Sequence, residues 1–365
     1  MEILYKELEN SFRYWSNTDK AKLILDLDDF YKKNFRLKKV IKMQILNNKL
    51  YYENEHLEGV FNNLFLDRSK HIIKLFEIAL ERLNKQKIKL RDFTFYFTIN
   101  DYNITKQLPI FAFSKQFNSE GILIPDWTFI NLVGNKVKNN WDDIKESLAR
   151  IKIKNKEDII FFQGANTSKI IRDIREYKSD IRENIKLLSK ENNNFIVKID
   201  EPLSPITEWV KYKYLLDLPG AYPWSVRFKE LLMMKSIVIK VDIKNPWINF
   251  YSALLKPNID YIQIKYDNND EPINLANGIY NKIVKVYKYL KHKPKKVNDM
   301  INSAYKNINK LTMDGVINYL VLVLKLSEKL LHIDIANKNK TKKNIHKIHT
   351  YKIHTHKTKS FNRKV

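Results

Sequence analysis

Cysteine is absent from this 365-residue chain, and glycine occurs only seven times. The first absence removes disulfides, thiolate metal sites and cysteine nucleophiles, and leaves a reducing compartment open. No uncharged apolar run reaches the ~18 residues of a membrane-spanning helix. The longest candidate, VINYLVLVLKLSEKLL from Val316, is broken by Lys325 and Glu328. The start, MEILYKELENSFRYWSNTDK, is interrupted by Glu2, Lys6 and Glu7, so it lacks an apolar core of signal-peptide length. A soluble, cytoplasmic protein without a membrane span is the expectation.

Acid is also scarce relative to base, and the formal net charge is +25. That figure resembles a nucleic-acid signature, but its distribution weakens the reading. From Lys338 onward there are ten Lys and Arg and no acid, which leaves about +15 on the body. The tail, NKNKTKKNIHKIHTYKIHTHKTKSFNRKV, is low in complexity and is expected to be disordered. A metal site at His346, His349, His354 and His356 would have to overcome local positive charge, so weak attraction to polyanions is the better expectation for it. The density of Asn, Lys and Ile points to a microbial or viral source.

What is present reads as a folded α/β chain. Residues 18 to 90 read as mostly helical, and DLDD (26 to 29) as a solvated helix face rather than a metal-binding pair. The period then changes. TFYFTIND (94 to 101), PIFAFSK (109 to 115), DIIFFQGANTS (158 to 168), FIVKID (195 to 200), YKYLLDL (212 to 218), SIVIKVD (236 to 242) and DYIQIK (260 to 265) read as strands or strand–turn units. Helical stretches separate them: WDDIKESLARI (141 to 151), the long KIIRDIREYKSDIRENIKLLS, and helices from Leu275 to about Leu331. Such alternation predicts parallel sheets with helical crossovers. A break near residue 155 divides them into two α/β domains facing a cleft. The expected division is 1–155 with a helical extension, 156–332, and the basic tail 333–365.

In an open α/β sheet, ligands bind beyond the carboxyl ends of strands. Three turns stand there. INDYNI places Asp101 as a general base would be placed, although an Asp in such a turn also serves as a turn former. FFQGANTSK lacks the second Gly and the Gly-Lys-Ser/Thr ending of a P-loop, so an NTPase of that type is not expected. Its backbone N–H groups from Gly164 to Thr167 could still cradle an anion, or Thr167 or Ser168 could be a plain N-cap. In LPGAYPWSVRFK, Pro219 and Gly220 make the turn, Ser225 is the expected N-cap, and Arg227 falls in the first helical turn. A cation there opposes the helix dipole unless an anion such as a diphosphate sits beside it. The bland alternative is a solvated Arg on an exposed helix.

Taken in order, ILNNKLYYE (45 to 53), FTINDYNI, PIFAFSK followed by ILIPDWTF, the W-x-x-IKESL helix, FFQGANTS, KYKYLLDLPGAYPWSVRFKELLMMKSIVIK and LLKPNIDYIQIK resemble blocks of the family 90 glycosyltransferases. That group includes protein O-glucosyltransferases, KDEL-bearing relatives and capsule-associated xylosyltransferases. The resemblance covers roughly residues 40 to 300. It implies a GT-B architecture of two Rossmann-like domains. It also implies a UDP-sugar donor, glucose or xylose, transferred with inversion to a protein or glycan hydroxyl, with no cofactor and no essential metal. By the same resemblance Asp101 is the general base. Gly220, Ala221, Trp224, Ser225 and Arg227 hold UDP, with Thr167 and Arg172 contributing from the facing loop, and Asn48, Tyr51 and Trp127 lie on the acceptor side. Relatives usually carry Arg where Gln163 stands here. A non-enzymatic glycan- or nucleotide-binding relative, or a polyanion binder acting through the tail, are the alternatives. Retention of Asp101 argues against the first.

Overall fold

The computed structural model describes residues 1–35, 40–52, 63–98, 107–117, 119–130, 140–166, 181–220, 225–266 and 272–332. The chain opens with α1 (Glu2–Ser16), whose Leu4, Leu8, Phe12 and Trp15 recur every three or four residues and are buried on one face. The next helix, α2 (Lys20–Phe35), buries Leu23, Leu27 and Tyr31 in the same way. The DLDD carboxylates lie on α2 and pair locally: Asp26 with Lys22 at 2.6 Å, Asp29 with Lys32 at 3.7 Å, and Asp28 with Lys42 at 3.6 Å. Among the described residues no group of three or more acids or histidines gathers that could hold a metal ion.

The expected helical stretch from 18 to 90 is interrupted by a hairpin of β1 (Val40–Leu46) and β2 (Lys49–Tyr52), before α3 (Asn63–Lys85). The hairpin turn is Asn47-Asn48, with φ of 50° and 59°. Two positive φ values in a two-residue connection match the right-handed twist of the strands, and Asn tolerates them better than other side-chain-bearing residues. Asn48 fixes the turn further: its Oδ1 accepts from the Leu90 N–H at 3.0 Å, and its amide donates to Asn84.

The first sheet has the order β2-β1-β3-β4-β6, with β3 at Phe93–Thr98, β4 at Phe111–Ala112 and β6 at Ile122–Leu123. It is mixed rather than parallel. The hairpin and the β1–β3 pair are antiparallel, whereas β3–β4 and β4–β6 are parallel. Between β4 and β6, β5 (Ser114–Gln116) leaves this sheet to pair with β11 (Trp247–Asn249), a ribbon that joins early and late parts of the chain. A short 3-10 turn, Trp127–Phe129, and α4 (Trp141–Leu148) follow. An Asn140–Asp143 capping box starts α4.

The second sheet is wholly parallel, as the alternation predicted. Its strands are β7 (Glu157–Gly164), β8 (Phe195–Ile199), β9 (Tyr212–Asp217), β10 (Ile237–Ile243) and β12 (Ile262–Tyr266), in the order β12-β10-β9-β7-β8. The chain therefore moves outward from β7 to β8, then jumps back to β9 and proceeds the other way. By the right-handed rule for parallel crossovers, these opposite directions assign α5 (Ile181–Ser189) and α6 (Phe228–Met233) to opposite faces. Beside them pack α7 (Pro272–Lys291) against α5 and α8 (Pro294–Ile308) against α6. The reversal leaves a crevice between the carboxyl ends of β7 and β9, where ligands bind in sheets of this order.

The last helix, α9 (Met313–Leu331), counted from the sequence with the second domain, packs against α1, α3 and β3. Its apolar surface is broad, and Val316, Leu320, Val323 and Leu324 are all buried. Polar ties reinforce this return: Arg82 to Asp314 at 2.7 Å, Arg91 to Glu328 at 2.7 Å, and the Tyr319 hydroxyl to the Leu123 carbonyl at 2.9 Å. No described helix is long and apolar enough to cross a membrane. The tail from 333, with its four histidines, lies outside the described residues.

Candidate functional site at the strand-order reversal

The crevice is built by the loops that follow β7 and β9. Gly164 ends β7, and Asp217 ends β9 as a buried carboxyl. Gly220 closes the described part of the second loop. The chain is described again from Ser225, which lies beside the Asp217 carboxyl and draws it down. That carboxyl is pushed above the ordinary range, chiefly by burial, against the opposing pull of Lys240 and Arg227. Ser225 is not the N-cap of α6; the cap is Arg227, without a side-chain capping bond.

Nor is Arg227 a solvated surface residue. Its Nη1 donates to the Gln163 carbonyl at 2.6 Å, and its guanidinium lies 5.1 Å from the Trp209 ring and 5.7 Å from the Phe162 ring. A second guanidinium reaches the same place. Arg182, on α5, donates to the carbonyls of Pro219 at 3.0 Å, Leu218 at 3.1 Å and Ala165, so it clamps both loops together. Its guanidinium stands 5.2 Å from the same ring, Phe162. Burial, and after it repulsion from Arg227, pushes Arg182 down to about 9. Burial likewise lowers Arg227. Neither guanidinium has a described carboxylate within the 4.0 Å of an ion pair. A buried and a partly buried cation with backbone carbonyls as their hydrogen-bond acceptors make a place where an anion would be stabilised.

Arg182 is the residue the sequence reading missed. It sits next to Ile181 in the buried stripe Ile181, Ile185, Ser189 of α5. A cation beside an apolar stripe at helical spacing was the available signal. Gln163, in turn, does not face the crevice with a free amide. Its Nε2 donates to the Pro202 carbonyl at 2.7 Å, and its Oε1 accepts from the Ser204 N–H at 3.2 Å and hydroxyl at 2.6 Å, tying down the loop after β8.

Two residues beyond Arg227, Lys229 is fully buried and turns toward the first sheet. Its ammonium lies 3.4 Å from both oxygens of Asp126, bonds the Thr128 hydroxyl and the Val226 carbonyl, the latter at 2.9 Å, and stands 4.8 Å from the Phe129 ring. Asp126 in turn caps the Trp127–Phe129 turn by accepting from the Thr128 N–H at 2.9 Å. Glu230, 3.6 Å from the Lys229 ammonium, is buried with no hydrogen bond to either carboxyl oxygen among the described residues. Burial, opposed by Lys229, pushes its carboxyl up to about 7. Of the two basic residues after the Pro-Gly turn, one thus belongs to the crevice and the other locks α6 to the Trp127 turn. Trp127 itself is buried, with the Arg68 guanidinium 4.0 Å above its ring.

The structure thus brings Gly164, Gly220, Ser225 and Arg227 together and joins Trp127 to them through Lys229 and Asp126. Asn48 and Tyr51 stand elsewhere. Ile45 pairs with Phe93 at the amino end of β3, and Val40 with Thr98 at its carboxyl end. The Asn47-Asn48 turn therefore lies at the end of the sheet away from the carboxyl end of β3. Tyr51 is opposite Gln44, one step along the hairpin. Asp101, Thr167, Arg172, Ala221 and Trp224 lie outside the described residues.

Comparison with known proteins bears on this site. Protein O-glucosyltransferase 1 of Bos taurus is 28% identical over 251 residues, covering 61% of this chain and 58% of that protein. Protein O-glucosyltransferase 1 of Homo sapiens is 27% identical over 248 residues with the same coverage, and O-glucosyltransferase rumi of Drosophila melanogaster is 28% identical over 183 residues, 43% of this chain and 41% of that protein. The chain thus spans little more than half the length of the first two relatives. The profile of Glycosyl transferase family 90 matches residues 5–364, nearly the whole sequence, and the chain belongs to that family.

Proposed function

We propose that the protein is an inverting glycosyltransferase that moves a sugar, glucose or xylose, from a UDP-sugar to a hydroxyl of a protein or glycan acceptor without a catalytic metal. The observation that carries this reading is the pair of guanidiniums near Phe162 at the strand-order reversal, Arg182 buried and Arg227 partly buried. The relatives are named as O-glucosyltransferases, which supports a hydroxyl acceptor. A GT-B arrangement, with the second sheet on the donor side, fits the same reading.

In this reaction Asp101 takes the proton of the acceptor hydroxyl. That oxygen attacks the anomeric carbon from the face opposite the nucleotide, and the bond from that carbon to the diphosphate oxygen breaks. The electron pair leaves on the diphosphate, where Arg182 and Arg227 offset the negative charge as it develops. Fixed cations suit this task because they are already oriented before the bond breaks. Locking α6 to the Trp127 turn through Lys229 holds Arg227 in register with the acceptor side.

The test is to incubate the purified protein with a panel of UDP-sugars and a chelator and to follow UDP release, with Asp101→Asn as control. Release that persists in chelator and falls at least a hundredfold in Asp101→Asn supports the reading. Equal release by the two proteins removes Asp101 as the base.

A further inference from the structure

Outside the crevice, α7 and the start of α8 carry an unusual charge pattern. From Pro272 to Asn298 the sequence has seven Lys and one His, with no Asp, no Glu and no Arg. Lys282, Lys285, Lys288 and Tyr289 are exposed and, at about 100° per residue, fall within one third of the circumference of α7. Lys291 falls outside this stripe, 3.6 Å from Asp158. At the α7–α8 corner the stripe runs into a cavity of about 670 Å³ whose lining includes Ile259, His292, Lys293, Lys295 and Lys296, with Asp299 its one acid. At the other end of α7, Lys244, Lys265 and Lys282 line a second cavity of about 310 Å³. Two large side chains stand exposed at the corner, Ile259 (53%) and Tyr289 (49%), the latter beneath the Lys296 ammonium at 5.1 Å.

We infer that this face docks on an anionic phospholipid surface, independently of the transfer reaction. The cations are all Lys, compact hydrated charges that suit a diffuse negative surface. Nucleic-acid phosphates are typically gripped by the forked donors of Arg, which this stretch lacks. Ile259 and Tyr289 among the lysines supply apolar side chains that enter the headgroup layer while the ammonium groups stay at the phosphates. The chain would thus rest on a membrane through this face with no described helix that spans one.

The experiment is sedimentation of the full chain with vesicles of phosphatidylcholine alone or with 30% phosphatidylserine. It compares wild type, a body variant (Lys285→Gln, Lys288→Gln, Lys293→Gln, Lys295→Gln, Lys296→Gln) and a tail variant (Lys338→Gln, Lys340→Gln, Lys342→Gln, Lys343→Gln, Lys347→Gln). All the body positions are exposed, so thermal melts should match wild type. Wild type is expected to bind the anionic vesicles at least tenfold more tightly than the neutral ones, in a salt-sensitive way. The body variant should lose at least tenfold, and the tail variant less than threefold. Unchanged binding by the body variant, or a loss confined to the tail variant, overturns the inference. Tighter binding to duplex DNA than to the vesicles, abolished in the body variant, also overturns it and gives the face to nucleic acid.

Discussion

The Lys229 ammonium stands 3.4 Å from both carboxylate oxygens of Asp126, a residue 103 positions earlier in the chain, and neither side chain is more than 2% exposed. This contact joins the helix that carries the crevice cation Arg227 to the Trp127 turn of the other sheet.

Replacing Lys229 by Met leaves Asp126 buried with the Thr128 donors alone. Breaking one side of such a pair costs about 3–5 kcal/mol. Urea denaturation should therefore show Lys229→Met strongly destabilised. The double variant with Asp126→Asn should recover part of the loss, since the orphaned charge is then gone.

Glu230 makes stability depend on pH. Its carboxyl is held at about 7 in the folded state, against 4.5 for the free group, so the folded protein binds this proton more tightly than the unfolded chain does. The stabilisation is complete below about pH 4.5 and is lost as pH rises through about 7. Over that window Glu230 should cost the wild type about 3 kcal/mol relative to Glu230→Gln, from a shift of roughly 2.5 units at 1.36 kcal/mol each. Denaturation of both proteins from pH 5 to 8 checks this: the gap should widen in favour of the Gln variant as pH increases.

Gly164 is placed by packing rather than by backbone freedom. A Cβ built there would meet the Phe162 ring at 3.1 Å and Arg182 Nη1 at 3.3 Å. Gly164→Ala should displace the guanidinium and weaken UDP binding several-fold while costing only about 1–2 kcal/mol of stability. Titration calorimetry and thermal melting separate the two effects.

Arg182→Lys keeps the charge but puts its donors on one nitrogen, where Arg182 serves the three carbonyls from three. The loops after β7 and β9 should loosen, with a loss of about 2–4 kcal/mol in stability and a more than tenfold loss in UDP affinity. Hydrogen exchange at residues 164–166 and 218–220 should rise in this variant.

The strands were legible where their chemistry was local. YKYLLDL, SIVIKVD and DYIQIK are continuous apolar runs because a parallel sheet is covered on both faces, and β9, β10 and β12 lie where those runs stand. The β1–β2 hairpin was hidden because VIKMQIL and KLYY are short, lie between two amphipathic helices, and turn on Asn-Asn rather than Asn-Gly. At the site, Arg227 was legible through the Pro-Gly turn before it. Arg182 was not, because its role is fixed by carbonyls brought to it by two separate strands. Lys229 was not legible either, because its contact is with Asp126, which no local pattern links to it. The exchange of Gln for Arg at 163 suggested a missing charge, whereas its amide secures the loop at Pro202 and Ser204.

The most direct test of the crevice is titration of UDP into wild type and Arg227→Ala. Arg227 donates to the Gln163 carbonyl and also offsets the buried Asp217 carboxyl, so thermal melting of Arg227→Ala is run beside the titration to separate a loss of fold from a loss of binding. The substitution should cost about 1.5–3 kcal/mol of UDP affinity, roughly ten- to a hundredfold. UDP binding of equal strength to the two proteins would contradict the assignment of this guanidinium pair to the nucleotide diphosphate.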